Sequence, residues 1–121
     1  MSKILVVEDS LVQRELMATL LINNHFEIAT ASNGLEAIAQ VQSLHPDIVV
    51  LDIVMPKMNG YELCRKLRDN PETWNTNIII CSAKSTTADR YWGMRNGANA
   101  YISKPFAPQE LVDTINVMLN A

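Results

Sequence analysis

The chain has 121 residues, 48% hydrophobic and 19% charged, with a formal net charge of -3. This composition suits one compact domain over residues 1–121 and leaves little room for a second. The acidic balance argues against direct nucleic-acid binding, which needs a concentrated positive surface, and no apolar run approaches the length of a bilayer span, so a cytoplasmic location without membrane insertion is expected.

Along the chain, short apolar runs alternate with segments of helical period. Ile4 to Val7 reads as the first strand and leads to Glu8-Asp9. Ser10 with Gln13 has the spacing of a capping box and predicts a helix from about Leu11 to Ile22. His25 lies in a turn before a second strand, Phe26 to Thr30. Asn33 with Glu36 repeats the capping spacing, and Leu35, Ile38 and Val41 stripe the helix that follows.

His45 and Pro46 precede a third strand, Ile48 to Leu51, which ends on Asp52 and the turn-forming stretch Met55-Pro56-Lys57-Met58-Asn59-Gly60. Leu63 and Leu67 stripe the third helix, and Asn70 to Asn77 reads as a polar surface loop. A fourth strand, Ile78 to Cys81, is followed by Ser82 and by a helix that Gly97 closes as a left-handed cap. Trp92 and Met94 in that helix read as core or partly exposed packing residues rather than a partner surface. A fifth strand, Ala100 to Ser103, gives way to Lys104-Pro105. Pro108 then opens a helix whose buried face is Leu111, Ile115 and Met118.

Such alternation predicts β-α units with right-handed crossovers, and so an α/β fold with a mostly parallel, doubly wound sheet. The runs Ile48 to Leu51 and Ile78 to Cys81 are apolar without alternation, as strands covered on both faces must be. Cys64 and Cys81 have neither disulfide nor metal-knuckle spacing and read as reduced core residues.

In a doubly wound sheet the residues that follow the strands share one edge, where such folds bind ligands. Glu8, Asp9, Asp52, Ser82 and Lys104 would then border a single crevice. Clustered carboxylates repel unless a cation joins them, and an all-oxygen set suits magnesium, whereas zinc would want His or Cys. An ionised aspartate is a competent nucleophile for phosphoryl transfer, and a lysine ammonium can neutralise charge on the phosphoryl oxygens. Taken singly, Asp52 would be a solvated turn residue, Lys104 a surface charge, Ser82 a cap and Tyr101 a half-buried aromatic. Their combination is what points to chemistry.

The motifs Val7-Glu8-Asp9-Ser10, Leu51-Asp52-Ile53-Val54-Met55-Pro56, Cys81-Ser82-Ala83-Lys84 and Ser103-Lys104-Pro105-Phe106 occur together and in order. In these the chain resembles the receiver domain of two-component response regulators, of the stand-alone chemotaxis or twitching-motility type, from Lys3 to Leu119. The resemblance implies a flavodoxin-like (βα)5 fold with strand order 2-1-3-4-5. It implies Asp52 as phosphoacceptor and Mg2+ held by Asp9, Asp52 and the backbone carbonyl of Val54, with Glu8 acting through a water. Lys104 would pair with the phosphoryl group, aimed inward by a cis peptide bond to Pro105, and Ser82 with Tyr101 would form the switch pair. Val54 and Lys84 border the route of an attacking water and would tune the phosphoryl lifetime.

The expected partners are a histidine kinase or phosphotransfer domain and a downstream protein, reached through the fourth helix, fifth strand and fifth helix. Because the sequence stops soon after the fifth helix, output is expected through protein contact. Beyond self-phosphorylation from small donors and autodephosphorylation, no enzyme activity is expected. A phosphate sink or relay intermediate would use the same residues. An aspartyl-phosphate phosphatase is disfavoured, since Asp52-Ile53-Val54 lacks the second acid of Asp-x-Asp, and a flavodoxin-like cofactor carrier is disfavoured because Glu8-Asp9 would repel a cofactor phosphate.

Overall fold

The computed structural model describes residues 1–121. Strands β1 (Lys3–Val7), β2 (Glu27–Ala31), β3 (Ile48–Leu51), β4 (Asn77–Ser82) and β5 (Ala100–Ser103) alternate with helices α1 (Leu11–Asn23), α2 (Gly34–Leu44), α3 (Gly60–Asp69), α4 (Thr87–Arg95) and α5 (Pro108–Leu119). All four strand pairings are parallel, and the order is β2-β1-β3-β4-β5, as expected.

The strands alternate between two apolar faces rather than between an apolar and a polar one. Leu5, Val7, Val49, Leu51, Ile78 and Ile80 face the side closed by Ala37, Val41, Leu63, Cys64 and Leu67. Ile4, Val6, Ile48, Val50, Ile79 and Cys81 face Met17, Leu21, Leu111 and Ile115 on the other. Helices on both faces therefore explain why these runs read as unbroken hydrophobicity. The registers Val7↔Leu51, Leu51↔Ile80 and Ser82↔Ser103 bring the carboxyl ends of β1, β3, β4 and β5 to one rim. No helix is long and apolar enough to cross a membrane.

Several local expectations are revised. Ser10 Oγ accepts from Gln13 N and Asn33 Oδ1 from Glu36 N, but neither box closes. The Gln13 carboxamide is drawn to Lys104, and the Glu36 carboxylate to Ser32 and the Asn33 side chain. The complete box is Thr86 with Asp89 at the start of α4, where an aspartate stands in the place usually held by Glu or Gln. In α2 the buried stripe is Gly34, Ala37 and Val41, while Leu35 is exposed. In α5 Val112 joins Leu111 and Ile115 inside, and Met118 is only partly buried.

Strand β2 is shifted one residue from expectation, to Glu27–Ala31, and β4 takes Asn77 and Ser82 at its two ends. The α3–β4 loop is not simply a surface loop, since fully buried Thr73 donates to the Leu67 carbonyl at 2.6 Å. Arg68 pins the same region with bonds to the carbonyls of Trp74, Thr76 and Gly97. Gly97, at φ +114°, ends α4 in the left-handed region as expected. His25 and His45 also have positive φ, in turns, and Cys64 and Cys81 are free and buried. Trp92 and Met94 stand about half exposed on either side of buried Gly93.

Candidate functional site

The site is assembled where the backbone leaves the sheet. After β1, Glu8 N donates to the Ala31 carbonyl at 3.1 Å, which continues the β1–β2 pairing by one residue and turns the side chain inward, 3% exposed. Its carboxylate Oε2 accepts from Ser10 N at 3.1 Å, and its carbonyl accepts from Arg14 Nη1 at 2.8 Å. A carboxylate so buried needs a cation or a full set of donors to hold its charge.

That cation is Lys104. Its backbone N donates to the Ser82 carbonyl at 2.9 Å, extending the β4–β5 ladder, and the Lys104–Pro105 peptide bond is cis. The Nζ atom donates to Glu8 Oε1 at 2.9 Å, to Asp52 Oδ2 at 2.9 Å and to Gln13 Oε1 at 2.7 Å. Partial burial alone would depress the ammonium pKa. The hydrogen bonds and charges of Glu8 and Asp52 outweigh that and raise it above the ordinary lysine value.

Asp52 is presented by a loop tied down at several points. Its Oδ1 accepts from Val54 N at 3.2 Å, and Gly60 N donates to the Ile53 carbonyl at 2.8 Å. Ile53, Met55 and Met58 bury their side chains in the core, while Lys57, at φ +69°, makes the tight turn in which Met58 N reaches the Pro56 carbonyl. Gly60 permits the closest approach, because a Cβ there would fall against the Asp52 carbonyl and Ile53 Cα.

Two acids, Glu8 and Asp52, pair with the Lys104 ammonium. Asp9 is exposed and joins no ion pair, and no three acidic, histidine or cysteine side chains converge as ligands of one ion. The ammonium gathers Glu8 and Asp52, whereas Asp9, one residue beyond Glu8, stays toward solvent. As donors, Asp9, Asp52 and the Val54 carbonyl are hard oxygens, two of them carboxylate groups. That set fits magnesium, which keeps several waters and needs only one or two carboxylates from the protein.

Ser82 is the last residue of β4 and fully buried, its Oγ accepting from Lys84 N at 3.2 Å. Tyr101 lies in β5, half-buried. Its hydroxyl donates to the Lys84 carbonyl, and Arg90 Cζ stands 5.2 Å from its ring centroid. Burial pushes the Tyr101 phenol up to about 12. Ser82 and Tyr101 thus hold the same loop residue from two strands. Exposed Lys84 also pairs with Asp89 at 3.7 Å, and Asp89 in turn receives the Tyr61 hydroxyl on its carbonyl at 3.2 Å. Val54 is 61% exposed beside Asp52.

The Asp52 carboxylate, the Lys104 ammonium and the hydroxyl-bearing end of β4 therefore border one rim. A family model described as the response regulator receiver domain matches residues 4–116. The chain belongs to that family. As a receiver domain of two-component systems, residues 4–116 form a phosphorylation-based signalling switch.

The receiver domain is 35% identical over 119 residues to the protein PilH of Pseudomonas aeruginosa, covering 98% of each chain. It is 41% identical over 117 residues to ycf27 of Cyanophora paradoxa, covering 97% of this chain and 48% of that one. It thus spans about half the length of some curated relatives it matches. Among solved structures it is similar to the chemotaxis response regulator CheY4 of Vibrio cholerae, with TM-score 0.90, 30% identity and 98% of both chains covered.

Two participants were not legible as such in the sequence. Gln13 could be read only as a helix cap and Arg14 not at all, because their partners, Lys104 and the Glu8 carbonyl, are fixed by the tertiary fold.

Proposed function

We propose that Asp52 of this receiver domain is the phosphoacceptor, charged from a phosphohistidine on a histidine kinase or phosphotransfer domain. The observation that supports this most is the Lys104 ammonium 2.9 Å from Asp52 Oδ2. A carboxylate oxygen forms the new O–P bond as the P–N bond breaks, and the nitrogen's electron pair returns to the imidazole, which takes up a proton. The transfer needs positioning and charge neutralisation more than acid–base work. Lys104 supplies a positive charge already in place.

Asp9, Asp52 and the Val54 carbonyl are the groups that would hold magnesium, with Glu8 reached through a water. The bound ion supplies further positive charge against the phosphoryl oxygens. The phosphoryl group adds between one and two negative charges and three strong acceptors at neutral pH. In this reading the Ser82 hydroxyl turns to a phosphoryl oxygen and Tyr101 moves with the Lys84 loop, which biases the face made by α4, β5 and α5. A coupling of about 1 to 3 kcal/mol would change the affinity of a downstream protein partner roughly five- to 150-fold. Residues 1–121 act as one domain, in the cytoplasm, and the acidic balance of these residues favours protein contact over direct nucleic-acid binding by them.

Incubation with magnesium and acetyl phosphate, followed by intact mass, tests the assignment. One phosphoryl adduct is expected on the native chain and none on Asp52→Asn. An adduct retained in that variant would remove Asp52 from the role.

A further inference from the structure

The Lys104 ammonium has three hydrogens, and each has a partner. Two go to the carboxylates Glu8 and Asp52 at 2.9 Å, and the third goes to Gln13 Oε1 at 2.7 Å. Both carboxylates are themselves anchored, Glu8 by Ser10 N and Asp52 by Val54 N. Gln13 is the neutral member of the set and comes from a different element, the first turn of α1, where its backbone N is tied to Ser10 Oγ at 3.3 Å. Its side chain is exposed and fills no core, so that contact is what its conformation serves.

We infer that Gln13 is a positioning residue for phosphoryl transfer, acting through Lys104. This rests on the reading of Asp52 as phosphoacceptor. Once Asp52 carries the phosphoryl group as an acyl phosphate, one of its oxygens bridges to phosphorus and the ammonium must pass from the carboxylate to the phosphoryl oxygens. During that passage Glu8 draws Nζ toward the β1 side of the rim. A neutral acceptor on the third hydrogen fixes the rotation of the ammonium about its stem and opposes that drift without competing for the phosphoryl charge. A third carboxylate there would hold Lys104 more tightly and repel the incoming phosphoryl group.

The test compares native protein, Gln13→Leu, Lys104→Ala and the double variant, with magnesium and acetyl phosphate as donor. A small donor removes any contribution of α1 to partner docking. Gln13→Leu should form the Asp52 adduct about three- to tenfold more slowly, a loss read as weakened transition-state positioning. Its urea midpoint should be unchanged. Added to Lys104→Ala, it should slow the reaction no further, because residues acting through one group are not additive. The 15N signal of the Lys104 ammonium should be resolved in the native protein and broadened in Gln13→Leu by exchange with water.

An adduct formed by Gln13→Leu at the native rate, or an equal slowing in both backgrounds, would overturn this role while leaving Asp52 as phosphoacceptor. No Asp52 adduct on the native chain would overturn both.

Discussion

Lys104 joins the two buried-edge acids of the rim, so its removal separates structural from chemical effects. Glu8 is 3% exposed in the native fold, bonded to Ser10 N and Lys104, and Lys104→Met removes its cation. The unpaired charge should cost about 1 to 3 kcal/mol in urea unfolding at pH 7. Adduct formation at Asp52 should fall by about 10²- to 10³-fold, the loss typical when one preorganised donor to a developing anion is deleted. A variant that unfolds more easily yet phosphorylates at the native rate would leave Lys104 a purely structural ion-pair partner. Asp52, Glu8 and Lys104 could be nominated from their strand-end positions. The partner of each hydrogen on Nζ could not, because Glu8, Gln13, Asp52 and Lys104 are brought together from four separate segments.

Among the elements, α3 determines how Asp52 is held. Its first residue, Gly60, lies so close to the Asp52–Ile53 backbone that any Cβ must displace one of them, and both obstacles are main chain rather than a flexible side chain. Gly60→Ala should therefore cost about 1 to 3 kcal/mol in thermal or urea unfolding. It should also slow adduct formation, since the Gly60 N to Ile53 carbonyl bond that closes the loop must lengthen. The turn in Met55 to Gly60 was legible from Pro, Asn and Gly. That Gly60 is required for close approach was not, since a glycine at a helix start equally suits a simple cap. The same limit explains the capping boxes. Gln13 and Glu36 have the right spacing for the return bond, but Lys104, remote in the chain, draws Gln13 away, and Glu36 is taken by Ser32 and the Asn33 side chain beside it.

For the molecule as a whole, alkaline pH is the condition that exposes the core. Burial pushes the thiols of Cys64 and Cys81 up to about 12 from 9.0, and the Tyr101 phenol up to about 12 from 10.0. Below pH 9 both folded and unfolded chains keep these protons, so these groups impose no pH dependence. Between about 9 and 12 the unfolded chain gives them up while the native state retains them, and stability must fall as pH rises. The raised Lys104 pKa acts in the same direction, its contribution being lost as pH passes above its folded value. Urea midpoints measured from pH 8 to 12 should decline across that window, and the decline should be shallower in Cys64→Ala. A flat profile would mean that the native state already admits water to these positions.

Sequence alone determined the number and order of the elements, the doubly covered sheet and the rim at which Asp52, Glu8 and Lys104 emerge. Those follow from periodicity, and a residue cannot leave the end of a parallel strand anywhere but at that edge. Only the tertiary structure decided that Glu8 and Asp52 share the ammonium, that Gln13 completes its shell, and that Leu35 faces out while Val112 faces in. Those outcomes depend on distances of a few ångströms between segments remote in the chain, which local patterns of hydrophobicity and spacing do not encode.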